Sequence, residues 1–469
     1  MRYDVVVVGG GTAGCVLAAR LSESPDRRVC LVEAGSDYGP FEGGRWPAEI
    51  LDSRALPAGH DWGPGGEDGR SLGGRVLGGS SAVNACMVVA GSPADYDEWG
   101  PGWSYEDLRP YLEPASAELR TARSNTGRPA RFQSAFLDAA ETAGFARLHD
   151  PNDPSAPVGV APFPANVVDG RRWNAAFAYL DPARDRPNLT IASETLVDRV
   201  ALDRSRATGV VTADGSLIEA EIVLLAAGAY FSPAILARSG VGPEPELRRL
   251  GIPIVESLPV GERLLDHCGT DVAWDLAPLL QAETDVEACG AGLFEAHALA
   301  KAASTACEHG SWDLHLLPWI SATGAGYRAS IIAFHLKPLS AGRVRLRSAD
   351  PVDPPIVERG FLTREEDLVP LVEGIELARA IGAAEPLLDL LAAELSPGSA
   401  DPEQYVRGTI RSYFHPAGTC PLGTVVDAHG RVLGIEGLYV ADASFMPTIP
   451  RANTNLTTAV IAERIAATF

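Results

Sequence analysis

Residues near the amino terminus have the types and spacing that bind a dinucleotide. The run from Gly9 to Gly14 is G-x-G-x-x-G, and it lies between an apolar strand and a helical pattern. Its glycines allow a tight turn, a close approach of the backbone to a pyrophosphate, and close packing of the helix on the strand. Glu33 follows about twenty residues on, where a carboxylate can bind a ribose diol. The motif does not choose between FAD and NAD, although the Ala34-Gly35 that follows is typical of flavoproteins.

The elements that must position this motif form a strand–helix–strand unit. The periodicity of apolar residues predicts these elements, and a unit of this kind implies a parallel sheet. The predicted elements are a strand from Val5 to Val8, a helix from Thr12 to Ser22, strands from Val29 to Glu33, Ile218 to Ala227 and Gly437 to Ala441, and a closing helix from Thr457 to Thr468. Residues 36–75 are rich in Gly, Pro, Asp and Arg, and we expect an extended surface run without packed elements.

Two stretches of different character separate these blocks. One combines amphipathic helical segments with many prolines, and the other mixes strands such as Arg343 to Arg347 with helices such as Glu366 to Ile381. We therefore predict an α/β fold (α+β overall) of two interleaved domains. The first domain comprises residues 1–105, 190–270 and 405–469, and the second comprises residues 106–189 and 271–404.

Composition and charge narrow the class of partner. The chain has 469 residues, 46% hydrophobic and 21% charged, which is typical of a globular protein. Its net charge of −22 disfavours nucleic acid and anionic membrane surfaces, because both are bound through excess Lys and Arg. Neither a membrane span nor a signal sequence is indicated. The seven scattered cysteines suggest neither a disulfide framework nor a metal site, and we expect a soluble cytoplasmic protein.

Four further segments resemble signatures of the glucose–methanol–choline family of flavin oxidoreductases. With the amino-terminal unit they span most of the chain in the family's order, and several long motifs in order are more specific than any single one. The segments are Gly74 to Asn84, Gly228 to Pro243, Gly261 to His267, and a carboxy-terminal block containing His415 to Thr419, Ala441 to Ser444 and Asn453 to Asn455.

The resemblance implies FAD as the cofactor. It also implies a Rossmann-like FAD-binding domain and an interleaved substrate domain built on an antiparallel sheet flanked by helices. His415 and Asn453 are the implied catalytic residues facing the flavin, the second at a position that is His in some members and Asn in others. The implied cofactor-binding residues are Gly9, Gly11, Thr12, Ala13, Gly14, Glu33, Ala34, Gly79, Ser80, Asn84, Ala85, Met87, Val197, Asp442, Ala443 and Asn455.

The chain departs from the family pattern at three positions. Ala90-Gly91 stands where members often have Arg-Gly, and Pro421-Leu422 stands where Arg-Met is expected. Some members attach FAD covalently through a His in the first signature, and the matching position here is Val83. This difference predicts FAD held without a covalent bond.

Alcohol oxidation by a flavin needs a proton transfer to a base and a hydride transfer to flavin N5. An imidazole suits the first, so His415 is the predicted general base. The amide of Asn453 can donate to the alcohol oxygen and stabilise the developing alkoxide. Asn is also a good helix cap, but we assign that role, or a flavin contact, to Asn455. The other histidines are expected to be ordinary polar groups, with His267 structural near the cofactor.

The predicted reaction is oxidation of a small-molecule alcohol to an aldehyde or ketone. A non-redox lyase that keeps FAD structurally, as in hydroxynitrile lyases, stays open, as does a flavin-binding protein without catalysis. The electron acceptor is open between oxygen, a quinone and a protein carrier; aromatic bulk at Tyr413 and Phe414 would hinder oxygen. The oligomeric state is unassigned. The acidic residues around Tyr96 and Trp99 are expected to lie on the domain surface.

Overall fold

Two large sheets with flanking helices dominate the computed structural model, which describes residues 2–54, 56–63, 72–123, 130–155, 158–288, 297–324 and 326–469. The strands are β1 (Tyr3–Val8), β2 (Val29–Val32), β3 (Ala122–Arg123), β4 (Gly159–Pro162), β5 (Pro164–Ala165), β6 (Val167–Val168), β7 (Arg171–Arg172), β8 (Leu189–Ala192), β9 (Val197–Asp203), β10 (Arg206–Thr212), β11 (Leu217–Leu225), β12 (Cys268–Leu276), β13 (Ala298–Ala302), β14 (Leu314–Thr323), β15 (Gly326–His335), β16 (Arg343–Arg345), β17 (Ile356–Glu358), β18 (Leu391–Ser396), β19 (Arg411–Ser412) and β20 (Leu438–Val440). The α-helices are α1 (Thr12–Leu21), α2 (Ala48–Leu51), α3 (Pro93–Asp97), α4 (Tyr105–Glu118), α5 (Arg131–Thr142), α6 (Gly228–Arg238), α7 (Glu244–Arg249), α8 (Pro278–Ala288), α9 (Leu368–Gly382), α10 (Pro402–Thr409) and α11 (Thr454–Ala466).

The first sheet gathers strands from distant parts of the chain. Its order is β8-β2-β1-β11-β10-β9, and β20 also pairs with β11. Strands β8, β2, β1, β11 and β20 run parallel, whereas β9, β10 and β11 are antiparallel neighbours. The valines of β1 are buried, as expected for a parallel strand whose faces are both covered, and α1 and α11 contribute to the same core. The predicted strand–helix–strand unit is therefore confirmed.

The carboxyl ends of the parallel strands meet at one edge of this sheet. The glycine motif follows β1 and Glu33 follows β2. Gly228 lies shortly after β11, and Asp442 lies shortly after β20. Ligands of open parallel sheets bind at this edge, and the glycine motif, Glu33 and Asp442 lie there.

The second sheet is antiparallel throughout and confirms the fold implied for the substrate domain. Its order is β18-β12-β15-β14-β13-β4, with β19 also pairing with β12. Because side chains alternate along a strand, β14 sends Leu314 and Leu316 into a core with α5 and α9. The opposite face carries Leu317 and Trp319, which pack with residues that follow the first signature.

Two regions pack differently from the expectation. Within the described part of 36–75, the chain forms α2 and buries Trp46, Ile50 and Leu72, so the prediction of a run without packed elements was wrong. The high Gly and Pro content of this run hid the few apolar residues that reach the core.

Helix α4 and residues 173–183 contribute side chains to the core of the first sheet, although the sequence analysis assigned them to the second domain.

No helix in the described ranges is both long and apolar enough to cross a bilayer. The cytoplasmic location stays a prediction.

Candidate active site

The glycine motif forms the turn between β1 and α1. Gly9 has a φ of +97°, a backbone conformation that favours glycine. A Cβ on Gly14 would lie 1.8 Å from the carbonyl oxygen of Gly9, so the helix packs on the strand with no room for a side chain. A Cβ on Gly79 would lie 2.6 Å from Cα of Gly11. The glycine motif and the first signature therefore touch backbone to backbone.

Glu33 lies beside this turn and is buried. Its Oε2 accepts a hydrogen bond from the Gly10 N–H at 2.6 Å, and its Oε1 accepts one from the Gly35 N–H at 2.7 Å. Burial raises the pKa of this carboxyl, against the effect of these backbone donors. The Thr195 N–H donates to the Glu33 carbonyl at 2.9 Å, and Val197, the first residue of β9, follows Thr195 by two residues.

A hydrogen bond joins the starts of α1 and α11. The Thr12 hydroxyl donates to Asn455 Oδ1 at 2.6 Å. The first intrahelical bond of α1 runs from the Cys15 N–H to Gly11, so the N–H groups of Thr12, Ala13 and Gly14 point out of the helix end. The side chain of Asn455 therefore bridges two helices, and we find it in this bridge and not in the cap position considered from the sequence.

The first signature contributes a helical turn, Gly79–Ala82, followed by an extended segment. Ser80 lies exposed on the turn. The side-chain oxygen of Asn84 accepts from the backbone two residues on at 2.9 Å, and its carbonyl accepts from Arg172 Nε at 2.8 Å. Ala85 and Met87 then lead the chain toward the second sheet.

Asp442 joins the end of β20 to the start of α6. Its Oδ2 accepts from the Gly228 N–H at 2.8 Å and from the Ser232 hydroxyl at 2.5 Å. Its Oδ1 accepts from the N–H and the hydroxyl of Ser444 at 2.8 and 2.5 Å. Burial raises the pKa of this carboxyl. Asp442 thus fixes the local backbone, and Ala443 begins the short 3-10 turn that follows.

His415 and Asn453 face each other in a buried position. His415 Nε2 lies 3.1 Å from Asn453 Nδ2, and the two residues are 9% and 6% exposed. Asn453 occupies the N-cap position of α11 but makes no capping bond. Instead, its Oδ1 accepts from the Val89 N–H at 3.2 Å. Because that bond requires the amide oxygen, the NH₂ group of Asn453 must point at His415.

A second histidine meets the other side of the His415 ring. The Nδ1 atoms of His267 and His415 are 2.9 Å apart, and the rings are nearly perpendicular at 89°. Burial lowers the pKa of His415 to about 3, and burial followed by the proximity of His415 lowers the pKa of His267 well below its ordinary value. Both rings are therefore neutral near neutral pH. Sequence reasoning gave His267 only a structural role; its place in a signature just before β12 was the available signal.

Asp266 fixes the backbone that carries His415. Its Oδ1 accepts from the His415 N–H at 2.9 Å, and its Oδ2 accepts from the Ser412 hydroxyl at 2.5 Å and from Arg359 Nη1 at 2.9 Å. Burial raises the pKa of this carboxyl, and the Arg359 guanidinium opposes that shift. The Ser412 oxygen also accepts from the Phe414 N–H at 2.7 Å. The short turn before His415 is therefore held by side chains.

An ion pair fixes the loop that carries Asn453. Asp95 is fully buried, its Oδ1 lies 2.6 Å from Arg451 Nη1, and its Oδ2 accepts from the Arg451 N–H at 3.0 Å. Tyr96 and Trp99 are also buried, so the prediction that these acidic residues lie on the domain surface was wrong for Asp95. The error arose because the partner of Asp95 lies far along the chain.

Aromatic rings flank the histidine. The Tyr413 ring lies 4.2 Å from the His415 ring and stacks on Phe334 at 3.7 Å with an interplanar angle of 1°. Trp319 packs against the same buried cluster. Phe414 is 57% exposed, so the aromatic side chain that the structure places beside His415 is that of Tyr413.

The residues at the edge of the first sheet fit FAD. Asn455 Nδ2 is buried and has no hydrogen-bond partner within the described residues, which leaves a donor for a bound group. The outward-pointing N–H groups of α1 suit a pyrophosphate, and the contact between Gly11 and Gly79 lets backbone line the cleft. In the part of the chain that the structure describes, no cluster of three or more His, Cys, Asp or Glu could hold a metal ion.

Comparison with protein families identifies the class. The amino-terminal profile of the GMC oxidoreductases matches residues 3–269, and the carboxy-terminal profile matches residues 338–462. The chain therefore belongs to the GMC oxidoreductase family and is an FAD-dependent oxidoreductase that acts on CH–OH donors.

Individual relatives agree with this class. Human mitochondrial choline dehydrogenase is 34% identical over 532 aligned positions, which cover 99% of this chain and 89% of the relative. The oxygen-dependent choline dehydrogenase of Pectobacterium atrosepticum is 34% identical over 99% of this chain and 94% of its own. The solved pyridoxine 4-oxidase from Mesorbium loti superposes with a TM-score of 0.88 at 28% identity, over 100% of this chain and 99% of that one. These relatives confirm the predicted family and lend no support to the lyase alternative.

Proposed function

We propose that the chain oxidises an alcohol to an aldehyde or ketone, with His415 as the general base and Asn453 orienting the alcohol oxygen. The observation that carries this proposal is the 3.1 Å approach of His415 Nε2 to Asn453 Nδ2, with the amide oriented by Val89. A proton acceptor and a proton donor thus lie side by side. An alcohol hydroxyl needs this combination, because it donates its proton and carries negative charge as it reacts.

The two side chains have different roles at the alcohol oxygen. The hydroxyl proton moves to Nε2 of His415, which is free to accept it because the ring is neutral. The NH₂ group of Asn453 donates to the same oxygen and stabilises the charge that develops there. Both side chains are buried, and a low dielectric strengthens such interactions. FAD, when bound, supplies the acceptor for the hydride that leaves the alcohol carbon.

The cofactor is proposed to be held without a covalent bond. Val83, at the position where some members have a linking His, offers no nucleophilic atom. Glycines 9, 11 and 14, together with Glu33 and Asn455, would hold the dinucleotide through backbone and hydrogen-bond contacts. Acid precipitation of the purified protein should therefore release all of its flavin into the supernatant, and flavin that stays with the pellet would contradict the assignment.

The wall beside His415 suits two kinds of substrate. Tyr413, Phe334 and Trp319 present aromatic surface, which binds aromatic alcohols by packing and quaternary ammonium alcohols by cation–π attraction. Asp271, on the same face of β12 as this wall, is already paired with Arg411 at 3.0 Å, so its charge is offset. The substrate panel therefore has to contain both benzylic alcohols and choline, besides simple primary alcohols.

Anaerobic titration with this panel tests the proposal. Bleaching of the visible flavin absorbance by an alcohol would show electron transfer from the alcohol to the flavin. His415→Ala should slow the bleaching by about 10²–10⁴-fold, whereas the exposed His429→Ala should leave it unchanged. The speed of recolouring in air then separates oxidase from dehydrogenase. Protein that carries FAD but bleaches with no alcohol, or bleaches equally in His415→Ala, would contradict the proposal.

A further inference from the structure

The hydrogen bonds around His415 admit a single arrangement of protons. Asn453 must use its oxygen for the Val89 N–H, so its NH₂ donates toward His415 Nε2. That nitrogen must then be the unprotonated one. A neutral imidazole carries one proton, so the proton of His415 lies on Nδ1.

The same reasoning extends to the neighbouring ring. His415 Nδ1 is 2.9 Å from His267 Nδ1, and one of these two nitrogens must donate while the other accepts. Since His415 is the donor, His267 accepts at Nδ1 and carries its own proton on Nε2. The tautomers of both histidines are therefore set by the Val89 N–H, through Asn453.

We propose that His267 is a positioning residue, which accepts the Nδ1–H of His415 and so holds the tautomer whose Nε2 lone pair faces the alcohol. The inference rests on the proposed role of His415 as the base. If His415 took the other tautomer, an N–H would point at the alcohol oxygen and at the NH₂ of Asn453, and no acceptor for the hydroxyl proton would remain.

The surroundings of His267 favour an acceptor over a proton carrier. His267 is fully buried, and burial together with the nearby His415, His315, His335 and Lys337 disfavours a positive charge on its ring. A proton passed from His415 to His267 would place a positive charge among these groups, and within the described residues no carboxylate accepts a hydrogen bond from either ring nitrogen of His267. The proton taken from the alcohol therefore stays on His415, and His267 acts only through the hydrogen bond.

Two replacements at position 267 separate the acceptor from mere bulk. In His267→Asn, the side-chain oxygen occupies nearly the place of Nδ1 and can accept from His415. In His267→Leu, similar volume remains but no acceptor. His315→Leu is the matched control, because His315, on β14, is equally buried and has no hydrogen-bond partner within the described residues.

We expect wild type, His315→Leu and His267→Asn to reduce the flavin anaerobically at similar rates. His267→Leu should reduce it about 10–100-fold more slowly, the usual effect of losing an orienting partner. FAD content and the substrate concentration at half-maximal rate should change little, so the loss falls on the reduction rate itself. A His267→Leu protein that reduces as fast as His315→Leu would overturn the inference.

A spectroscopic measurement tests the tautomer directly in the wild-type holoenzyme. In protein labelled with ¹⁵N-histidine, the His415 signals, assigned by their loss in His415→Ala, should show the proton on Nδ1. A proton on Nε2 would overturn the inference even if His267→Leu failed to fold. Loss of reduction in His415→Ala with no effect of His267→Leu would refute the positioning role alone, whereas full activity of His415→Ala would refute the proposed function.

Discussion

Replacing Asp95 by Ala should destabilise the protein by about 3–5 kcal/mol, the usual result of removing one partner of a buried ion pair. The Arg451 side chain is 4% exposed and would keep its charge without the carboxylate that lies 2.6 Å away. Lys337 Nζ lies 3.2 Å from the same carboxylate and would lose it too. Asp95 also completes the capping box of α3 with Ser92, which adds about 1 kcal/mol.

The loss should reach the site as well as the fold. Asp95 accepts from the Arg451 N–H, two residues before Asn453, so the variant frees the loop that aims the amide. Urea unfolding followed by circular dichroism and, separately, by flavin fluorescence measures both effects, because two cores need not unfold together. Asp97→Ala is the matched control: this exposed carboxylate in the same helix accepts one bond from the Tyr105 N–H at 2.9 Å.

A double variant sharpens the test. Asp95→Ala combined with Arg451→Met removes both charges, and buried pairs replaced by apolar residues commonly recover stability. The double variant should therefore be more stable than Asp95→Ala alone. An Asp95→Ala protein as stable as Asp97→Ala would show that the ion pair does not hold this loop. A double variant with a lower free energy of unfolding than Asp95→Ala alone would show the same.

Three other perturbations have defined outcomes. Gly14→Ala should abolish FAD retention, measured by absorbance of the purified protein, since its Cβ would lie 1.8 Å from a carbonyl oxygen, whereas Gly408→Ala, with open space around it, should retain FAD. Asn453→Ala should slow anaerobic flavin reduction by about 10²–10³-fold with FAD still bound, as when one donor to a developing oxyanion is removed. The free energy of unfolding should fall as pH drops from about 6.5 toward 3, because burial lowers the pKa of His415 and His315 and the unfolded chain then binds protons that the folded chain does not. Urea midpoints at stepped pH measure this, and a His315→Leu protein with the same slope as wild type would contradict it.

Local patterns in the sequence were sufficient to predict the elements that are determined by adjacent residues. The strand ending at Gly9, the helix from Thr12 and the strand before Glu33 could be predicted because apolar periodicity and glycine spacing are properties of adjacent residues. The edge of the sheet at which they meet follows from the parallel arrangement. The positions of His415 and Asn453 came from matching motifs, and the structure brings the two side chains together.

Pairings between distant residues could not be predicted in the same way. The carboxylate of Asp95 and its partner Arg451 are separated by 356 residues, and neither neighbourhood signals that the other exists. His267 and His415 are separated by 148 residues, and the sequence around a histidine does not show whether its ring contacts a second, distant histidine. Such contacts depend on how the two sheets are brought together, which no local pattern records.

Thr12 and Asn455 hold the amino-terminal ends of α1 and α11 side by side. Each helix end carries about half a positive charge, which acts only over the first turn. The chain as a whole carries −22, so an anionic dinucleotide approaching from solution is repelled before it is attracted. At 0.1 M salt, charges in solution are screened beyond about 10 Å. Salt therefore weakens the distant repulsion far more than it weakens the contacts inside the cleft. Added salt should therefore speed the association of FAD with the apoprotein while leaving its release nearly unchanged.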